Sequence, residues 1–318
     1  MAILVTGAAG YIGNNTVRRL VELGKPVRAM VRNPEKVKQR LGDLGSKIEI
    51  VQAYIGDRDS LKRVIEGEIS AIIHFVAIPM ERGGATYEEV NYQGTVNVLD
   101  VARDAGVQRF IHMSQNGANP DHFSRFLRSK GRAQQYVMQS GLQWTVLRPS
   151  VVFGPQDEFF NAFARLIRLT PIVFPLIGGG KALFQPVSVY DVVEAIVKSL
   201  DDDNTIGREF KLGGPEVLSL GEIEKRVLDA MDTSRMMITV PTGLLKLPVW
   251  VMEKTLPGTP VNLTLLELLK EPNVVNDNAL VSYFTMQPRQ FAGENIKYLK
   301  DATASTALKR FFTGANVN

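Results

Sequence analysis

The sequence predicts an α/β protein with a doubly wound parallel sheet and a smaller C-terminal lobe. Three observations carry that prediction. Short apolar runs alternate with amphipathic stretches over the first 150 residues, the pattern of strands and crossover helices in a parallel sheet. A turn punctuated by Gly7, Gly10 and Gly13 joins the first apolar run to the first amphipathic stretch. Beyond Val151 the alternation gives way to pieces broken by proline and glycine, as in a lobe added to a finished sheet. The expected division is 1–150 plus a returning segment 186–206 for the sheet domain, 151–185 and 207–300 for the lobe, and 301–318 for a loose tail or short helix.

The first strand holds Ile3, Leu4 and Val5, apolar as a strand buried on both faces must be. Its turn reads TGAAGYIG, and each glycine has a separate job. Gly7 permits the tight turn, Gly10 lets the backbone approach a pyrophosphate, and Gly13 lets the next helix, 11–23, pack close to the strand. That helix aims its N-terminal N–H groups and positive dipole end at the phosphate. Gly24 and Pro26 turn the chain into a second strand, 27–31. Arg32 follows, with Lys36 nearby, where such folds read the adenosine ribose. An acid there would accept from the ribose hydroxyls of NAD, whereas a guanidinium pairs with the 2′-phosphate of NADP(H).

A third strand is expected over 47–53, and Asp57 or Asp59 caps the helix through Leu61, Val64 and Ile65. The fourth strand, 71–77, contains His74, read as a packed core histidine. A long helix over 87–105 ends at Gly106. Strand 109–114, helix 125–140 and strand 144–147 follow, the last ending in Arg148, Pro149 and Ser150. In the lobe, 159–169, 190–200 and 220–231 read as helices, the second returning to the sheet, and 184–189 and 209–212 as short strands. Residues 241–256 and 263–269 are apolar and broken by prolines.

Composition narrows the function. The 318 residues suffice for two lobes, and 45% hydrophobic with 22% charged residues reads as a soluble globular protein. The net charge of +4 is small and scattered, with no basic stripe interleaved with aromatics, so no nucleic-acid partner is expected. The absence of cysteine excludes disulfides, thiol nucleophiles and thiolate metal sites. His74, His112 and His122 lack metal-ligand spacing, so no metal is expected. The chain runs straight into its first strand and contains no apolar run of membrane-span length, which predicts a cytoplasmic protein. The cluster Leu244, Leu245, Leu247, Val249, Trp250, Val251 and Met252 reads as the lobe's own core or as a surface docking peripherally on a membrane or membrane complex.

The ordered motifs TGAAGYIG, HFVA, VNYQGTVNVLDVARDAGV, RFIHMS and LRPSVVFG resemble the short-chain dehydrogenase/reductase superfamily, extended or atypical branch, over roughly residues 1–300. FQPVSVYDVVEAI, LLELLKEPNVV and YLK are similar to bacterial relatives of the nucleotide-binding accessory subunit of respiratory complex I. The resemblance implies a Rossmann fold and a cofactor site made of Gly7, Ala9, Gly10, Tyr11, Ile12, Gly13, Arg32, Tyr54, Ile55, Val76, Ala77, Lys130, Pro149, Ser150 and Val152. Two departures matter. Active relatives carry Tyr-x-x-x-Lys after the fifth strand, where this chain reads Phe126-Leu-Arg-Ser-Lys130, so the lysine stays and the proton-giving phenol is gone. Ser114 stands where the family has a carbonyl-polarising serine, and Tyr136 and Tyr190 are the nearest tyrosines in sequence. At the adenine pocket, Ala53-Tyr54-Ile55 replaces Gly-Asp-apolar; Tyr54 packs on or bonds adenine, or else the pocket is degraded.

Two functions stay open. One is an NADP(H)-binding protein, NAD(H) being the lesser candidate, with a structural, assembly or sensing role beside a membrane redox complex. The other is an NADPH-dependent oxidoreductase on a small carbonyl or quinone substrate, its proton coming from Lys130, water or another group. Epimerase or dehydratase chemistry on a nucleotide sugar is weaker, since it too uses the missing phenol.

Overall fold

Each apolar run of the first 150 residues becomes a strand, and the strands pair in parallel because a crossover helix separates each from the next. The computed structural model describes residues 1–256, 258–259 and 261–313, with the side chains of Lys36, Lys38 and Gln39 also outside the described set. Its sheet contains β1 (Ala2–Thr6), β2 (Val27–Val31), β3 (Ile48–Gln52), β4 (Ile69–His74), β5 (Arg109–Met113), β6 (Gln143–Pro149) and an edge strand, Arg208–Leu212. The spatial order is edge strand, β6, β5, β4, β1, β2, β3. The chain runs outward from β1 through β2 to β3, then crosses to the other side of β1 for β4. That reversal creates a crevice at the C-terminal end of β1. The crossover helices are α1 (Tyr11–Glu22), α2 (Pro34–Leu41), α3 (Arg58–Ile65), α4 (Gly94–Asp104) and α5 (Arg125–Met138).

Of the two candidate caps for α3, Asp57 takes the role, accepting from Asp59 N and Ser60 N at 3.0 and 3.2 Å. The expected long helix over 87–105 opens instead as a π-helical turn, Glu88–Gln93. There the Asn91 amide is drawn out of the helix to bond the loop after β4, with Ile78 N at 2.7 Å and Ile78 O at 3.2 Å.

The chain divides into two units: Met1–Pro149 with Val189–Leu212 and Ser282–Thr285, and Ser150–Ser188 with Gly213–Val281 and Met286–Asn318. The returning segment is therefore displaced from the expected 186–206. Residues 208–212, expected in the lobe, pair along β6 from Arg208↔Thr145 to Leu212↔Pro149, because the apolar Phe210 and Leu212 extend the sheet past an otherwise open edge. Helix Val189–Asp201 covers α1, and Arg19 Nε meets Glu194 at 2.6 Å.

The second unit has its own core, in which Phe160 packs on Phe291 at 4.3 Å and edge-on to Phe153 at 6.3 Å. Helix Leu220–Ala230 starts with a capping box between Ser219 and Glu222. Its core face carries Leu220, Ile223, Val227 and Leu228, and also Glu224, which has no exposed surface. Both Glu224 oxygens lack a hydrogen-bond partner among the described residues, and burial pushes the carboxyl up to about 8. Asp157 is buried too, but it accepts from Tyr298 Oη and Phe160 N, both at 2.6 Å. The apolar stretch 241–256 is one helix, Thr242–Thr255, with Pro248 inside it. Residues 304–313, expected as part of a loose tail or short helix, form a helix tied down by Arg310 and Glu158 at 2.8 Å. Residues 314–318 of that expected tail lie outside the described residues.

Candidate functional site

The turn after β1 is built by contacts that only glycine allows. Gly7 has φ +68°, and a side chain there would meet Val76 at 3.3 Å. A Cβ on Gly13 would lie 2.2 Å from the Gly7 carbonyl oxygen, and one on Gly10 would lie 3.0 Å from the same atom. The helix start is thus pressed onto the turn. No side chain caps α1, and its first turn carries no acid. Asn14 Nδ2 instead donates to Gly10 O and Tyr11 O, at 2.7 and 3.0 Å. Gly10 is exposed, while Ala9, Tyr11 and Ile12 are half-buried. An uncapped, acid-free helix start behind a glycine cradle fits a pyrophosphate. Val76 and Ala77, half-buried after β4, border the turn's strand on the other side.

At the adenosine end, β1 and β2 run in register, with Thr6 opposite Met30, so Arg32 stands just past the same edge as the turn. Its side chain is exposed. Tyr54 is also exposed, and its ring lies over Gly56, where a Cβ would meet it at 2.5 Å. Ile55 is buried against Gly94 in the sheet's core, and only its carbonyl is engaged by a polar group, Asn97 Nδ2 at 2.9 Å.

At the far end of the crevice, Phe126 is buried, its ring 5.6 Å from that of Tyr87. The Tyr87 hydroxyl donates to Pro79 O at 3.0 Å. Lys130 is buried, and its Nζ donates to Met113 O at 2.6 Å; burial lowers its pKa to about 8. Ser114, expected to polarise a carbonyl, gives its proton to Gln134 Oε1 at 2.7 Å. Gln134 Nε2 donates in turn to Glu209 at 2.8 Å, and Glu209 is paired with Arg148 at 3.1 Å. Tyr136 donates to Asp100 at 2.8 Å, and Tyr190 is exposed. Below the lysine, His74 and His112 stack at 5.7 Å, fully buried. His74 bonds Thr6 Oγ1 at 2.8 Å and Thr95 Oγ1 at 3.1 Å, as a core histidine should. Burial, then the Lys130 charge, holds it down at about 3. Pro149, at the end of β6, is buried and accepts from Asn116 N at 2.9 Å. Ser150 and Val152 fall in the second unit, where Ser150 Oγ donates to Asn273 O at 2.7 Å.

Comparison with known proteins agrees with this geometry. A family model described as NAD(P)H-binding matches residues 7–160, and a second, the NAD dependent epimerase/dehydratase family, matches residues 129–213. The chain is thus similar to the NAD(P)-binding, epimerase-like short-chain dehydrogenase/reductases. Among its relatives is the NADH dehydrogenase [ubiquinone] 1 alpha subcomplex subunit 9, mitochondrial, of Arabidopsis thaliana, 29% identical over 93% of this chain and 76% of that one. Counterparts from Neurospora crassa, Mus musculus, Rattus norvegicus and Dictyostelium discoideum are 26–29% identical, with the match spanning 59–67% of their own length. Reductases are also related: a 4-hydroxy-2-methyl-3-oxo-4-farnesyl-3,4-dihydroquinoline-1-oxide ketoreductase of Stigmatella aurantiaca is 29% identical over 62% of this chain and 64% of its own. The fold matches dTDP-glucose 4,6-dehydratase from Bacillus anthracis in complex with NAD, with TM-score 0.73 and 18% identity over 99% of each chain.

Within this epimerase-like family frame, three groups escaped sequence reasoning. Tyr87, not Tyr136 or Tyr190, is the phenol packed on Phe126. Gln134 takes the Ser114 proton. Arg40 on α2 donates through Nη1 to Ala9 O, in the glycine turn, at 2.8 Å. No spacing rule links these positions, because loops and crossovers bring them together. Among the described residues no group of His, Asp and Glu is arranged to hold a metal ion, and no helix is long and apolar enough to cross a membrane.

Proposed function

We propose that this chain holds NADP(H) with little or no dehydrogenase turnover and serves a membrane redox complex in a structural, assembly or sensing role. Phe126 carries the reading: a nucleotide turn is intact while a phenyl ring, which has no proton to give, stands at the tyrosine position of the family motif. Bound nicotinamide would supply hydride chemistry. The glycine turn would hold the pyrophosphate, Arg32 the 2′-phosphate, and Lys130 the nicotinamide ribose. Preference for NADP(H) over NAD(H) rests on Arg32, since one charge-assisted pair is worth about 1.5–3 kcal/mol, or about tenfold to a hundredfold in affinity.

The partner class is supported by the complex I names of the relatives and by helix Thr242–Thr255. The expected apolar cluster divides there. Val249 is buried and Leu245 and Met252 half-buried, whereas Leu244, Leu247, Trp250 and Val251 are exposed beside exposed Lys246 and Lys254. Exposed Leu, Val and Trp with flanking lysines suit a helix lying peripherally in the headgroup layer of an anionic membrane. Co-sedimentation with phosphatidylserine-containing vesicles, lost in Leu247→Asp, would support that docking; no binding by the native chain would refute it.

A second reading, an NADPH-dependent oxidoreductase on a carbonyl or quinone substrate, is favoured by Lys130. Lowered to about 8, its ammonium is an acid strong enough to give up a proton near neutral pH. NADPH oxidation across a carbonyl and quinone panel separates the readings. We expect tight NADPH binding and negligible turnover. Robust turnover that collapses by about 10²–10⁴-fold in Lys130→Met, with NADPH binding retained, would overturn the first reading.

A further inference from the structure

Arg40 is the one cation whose side chain is seen to bond the glycine turn itself, among the described residues. Nη1 meets Ala9 O at 2.8 Å, and the residue as a whole is half-buried. The residue is not there by chance of a loose surface chain. Its own carbonyl accepts from Arg18 Nη2, and Arg18 is forked onto Asp43 at 2.5 and 2.8 Å. The end of α2 is therefore clamped to α1. This leaves Asp43 committed to Arg18 and unable to neutralise Arg40. Ala9 follows β1 and Arg32 follows β2, and the two strands are neighbours in register, with Ala8 N reaching Met30 O at 3.4 Å. Arg32 and Arg40 thus flank the same edge of the crevice, from separate elements. A guanidinium carries five donors in a planar fork, so spending one on Ala9 leaves a fixed, directed set for an anion.

We propose that Arg40 is a second specificity determinant, clamping the ribose 2′-phosphate of NADP(H) opposite Arg32. This rests on the NADP(H) reading above, and the experiment keeps the two apart. NADPH and NADH affinities are measured by fluorescence titration for native protein, Arg32→Ala, Arg40→Gln and Arg40→Met, each first checked for native melting temperature without ligand. The glutamine keeps a donor for Ala9 O but removes the charge; the methionine removes both. Both Arg40 variants should lose about tenfold in NADPH affinity, with NADH unchanged within about twofold, since only NADPH carries the 2′-phosphate. The salt dependence of NADPH binding should also shallow. Equal loss for both cofactors would make Arg40 a support of the turn and overturn the proposal, as would no loss for either. If native protein shows no NADPH preference and Arg32→Ala changes nothing, the NADP(H) reading itself fails and takes this proposal with it. Native preference that falls in Arg32→Ala but not in either Arg40 variant refutes Arg40 alone.

Discussion

Replacing Glu224 should stabilise the second unit, and by an amount that depends on pH. The carboxyl is fully buried on the core face of its helix with neither oxygen paired among the described residues, and it titrates near 8 rather than 4.5. Its folded pKa is raised, so below about 4.5 both states are protonated and nothing is lost. As pH climbs from there the unfolded chain ionises while the folded one keeps its proton, and stability falls until about pH 8. Each pH unit costs about 1.4 kcal/mol, so at pH 7 the group subtracts about 3 kcal/mol. Glu224→Leu should recover most of that and add buried apolar surface. Glu224→Gln should flatten the pH dependence but gain less, because an unpaired amide remains. The assay is urea unfolding between pH 5 and 8 in a Trp144→Phe background, leaving Trp250 to report on this unit. A leucine variant less stable than native at pH 8, or an unchanged slope against pH, would mean the carboxylate has a partner and refute the argument.

Two further perturbations test the sheet unit. Gly13→Ala sets a methyl 2.2 Å from the Gly7 carbonyl, so it should cost about 2 kcal/mol or more in thermal unfolding and lose nucleotide; Gly10→Ala, at 3.0 Å, should cost clearly less stability while also losing affinity, and equal loss of stability would be a failed prediction. His112 is fully buried with both ring nitrogens unpaired among the described residues, and burial, then Lys130 and His74, holds its pKa well below 6.5. Its folded pKa is depressed, so this stability is intact above about 6.5 and lost as pH falls; His112→Leu should gain more at pH 5 than at pH 8, as read by denaturant midpoints.

The strands and the glycine turn after β1 were legible because they obey local rules. A buried parallel strand needs an unbroken apolar run, and a helix start pressed on a turn needs glycine. Residues 208–212 were misplaced because a five-residue strand at a sheet edge carries no signal of which strand it will join. The π-helical turn at Glu88–Gln93 was invisible for a related reason: its helical periodicity is ordinary, and the Asn91 bonds to the loop after β4 exist only once β4 and α4 have packed. The helix Thr242–Thr255 read as core or as docking surface because apolar residues line much of its circumference; which side is covered depends on tertiary neighbours, and only Val249 ends fully buried. Arg40 fell outside sequence reasoning because the fold brings a residue from the end of α2 back to a turn 31 positions earlier.

The hydrogen bonds along the crevice bear on the proposed reading. A catalyst of this type must keep a donor aimed at a substrate carbonyl. Near Phe126, by contrast, donors are spent on protein. Ser114 donates to Gln134, Gln134 to Glu209, Tyr87 to Pro79 O, and Lys130 donates one of its three N–H groups to Met113 O. Redirecting the Ser114 donor would leave the buried Gln134 Oε1 unpaired, at about 1–3 kcal/mol. The phosphate end is arranged the other way. No side chain caps α1, Arg32 is exposed, and Arg40 commits one donor of five. Under the proposed reading, these donors at the phosphate end are the ones that would hold the anion. Phe126 fits that arrangement, since a phenyl ring is the one choice of that size that asks nothing of the network around it.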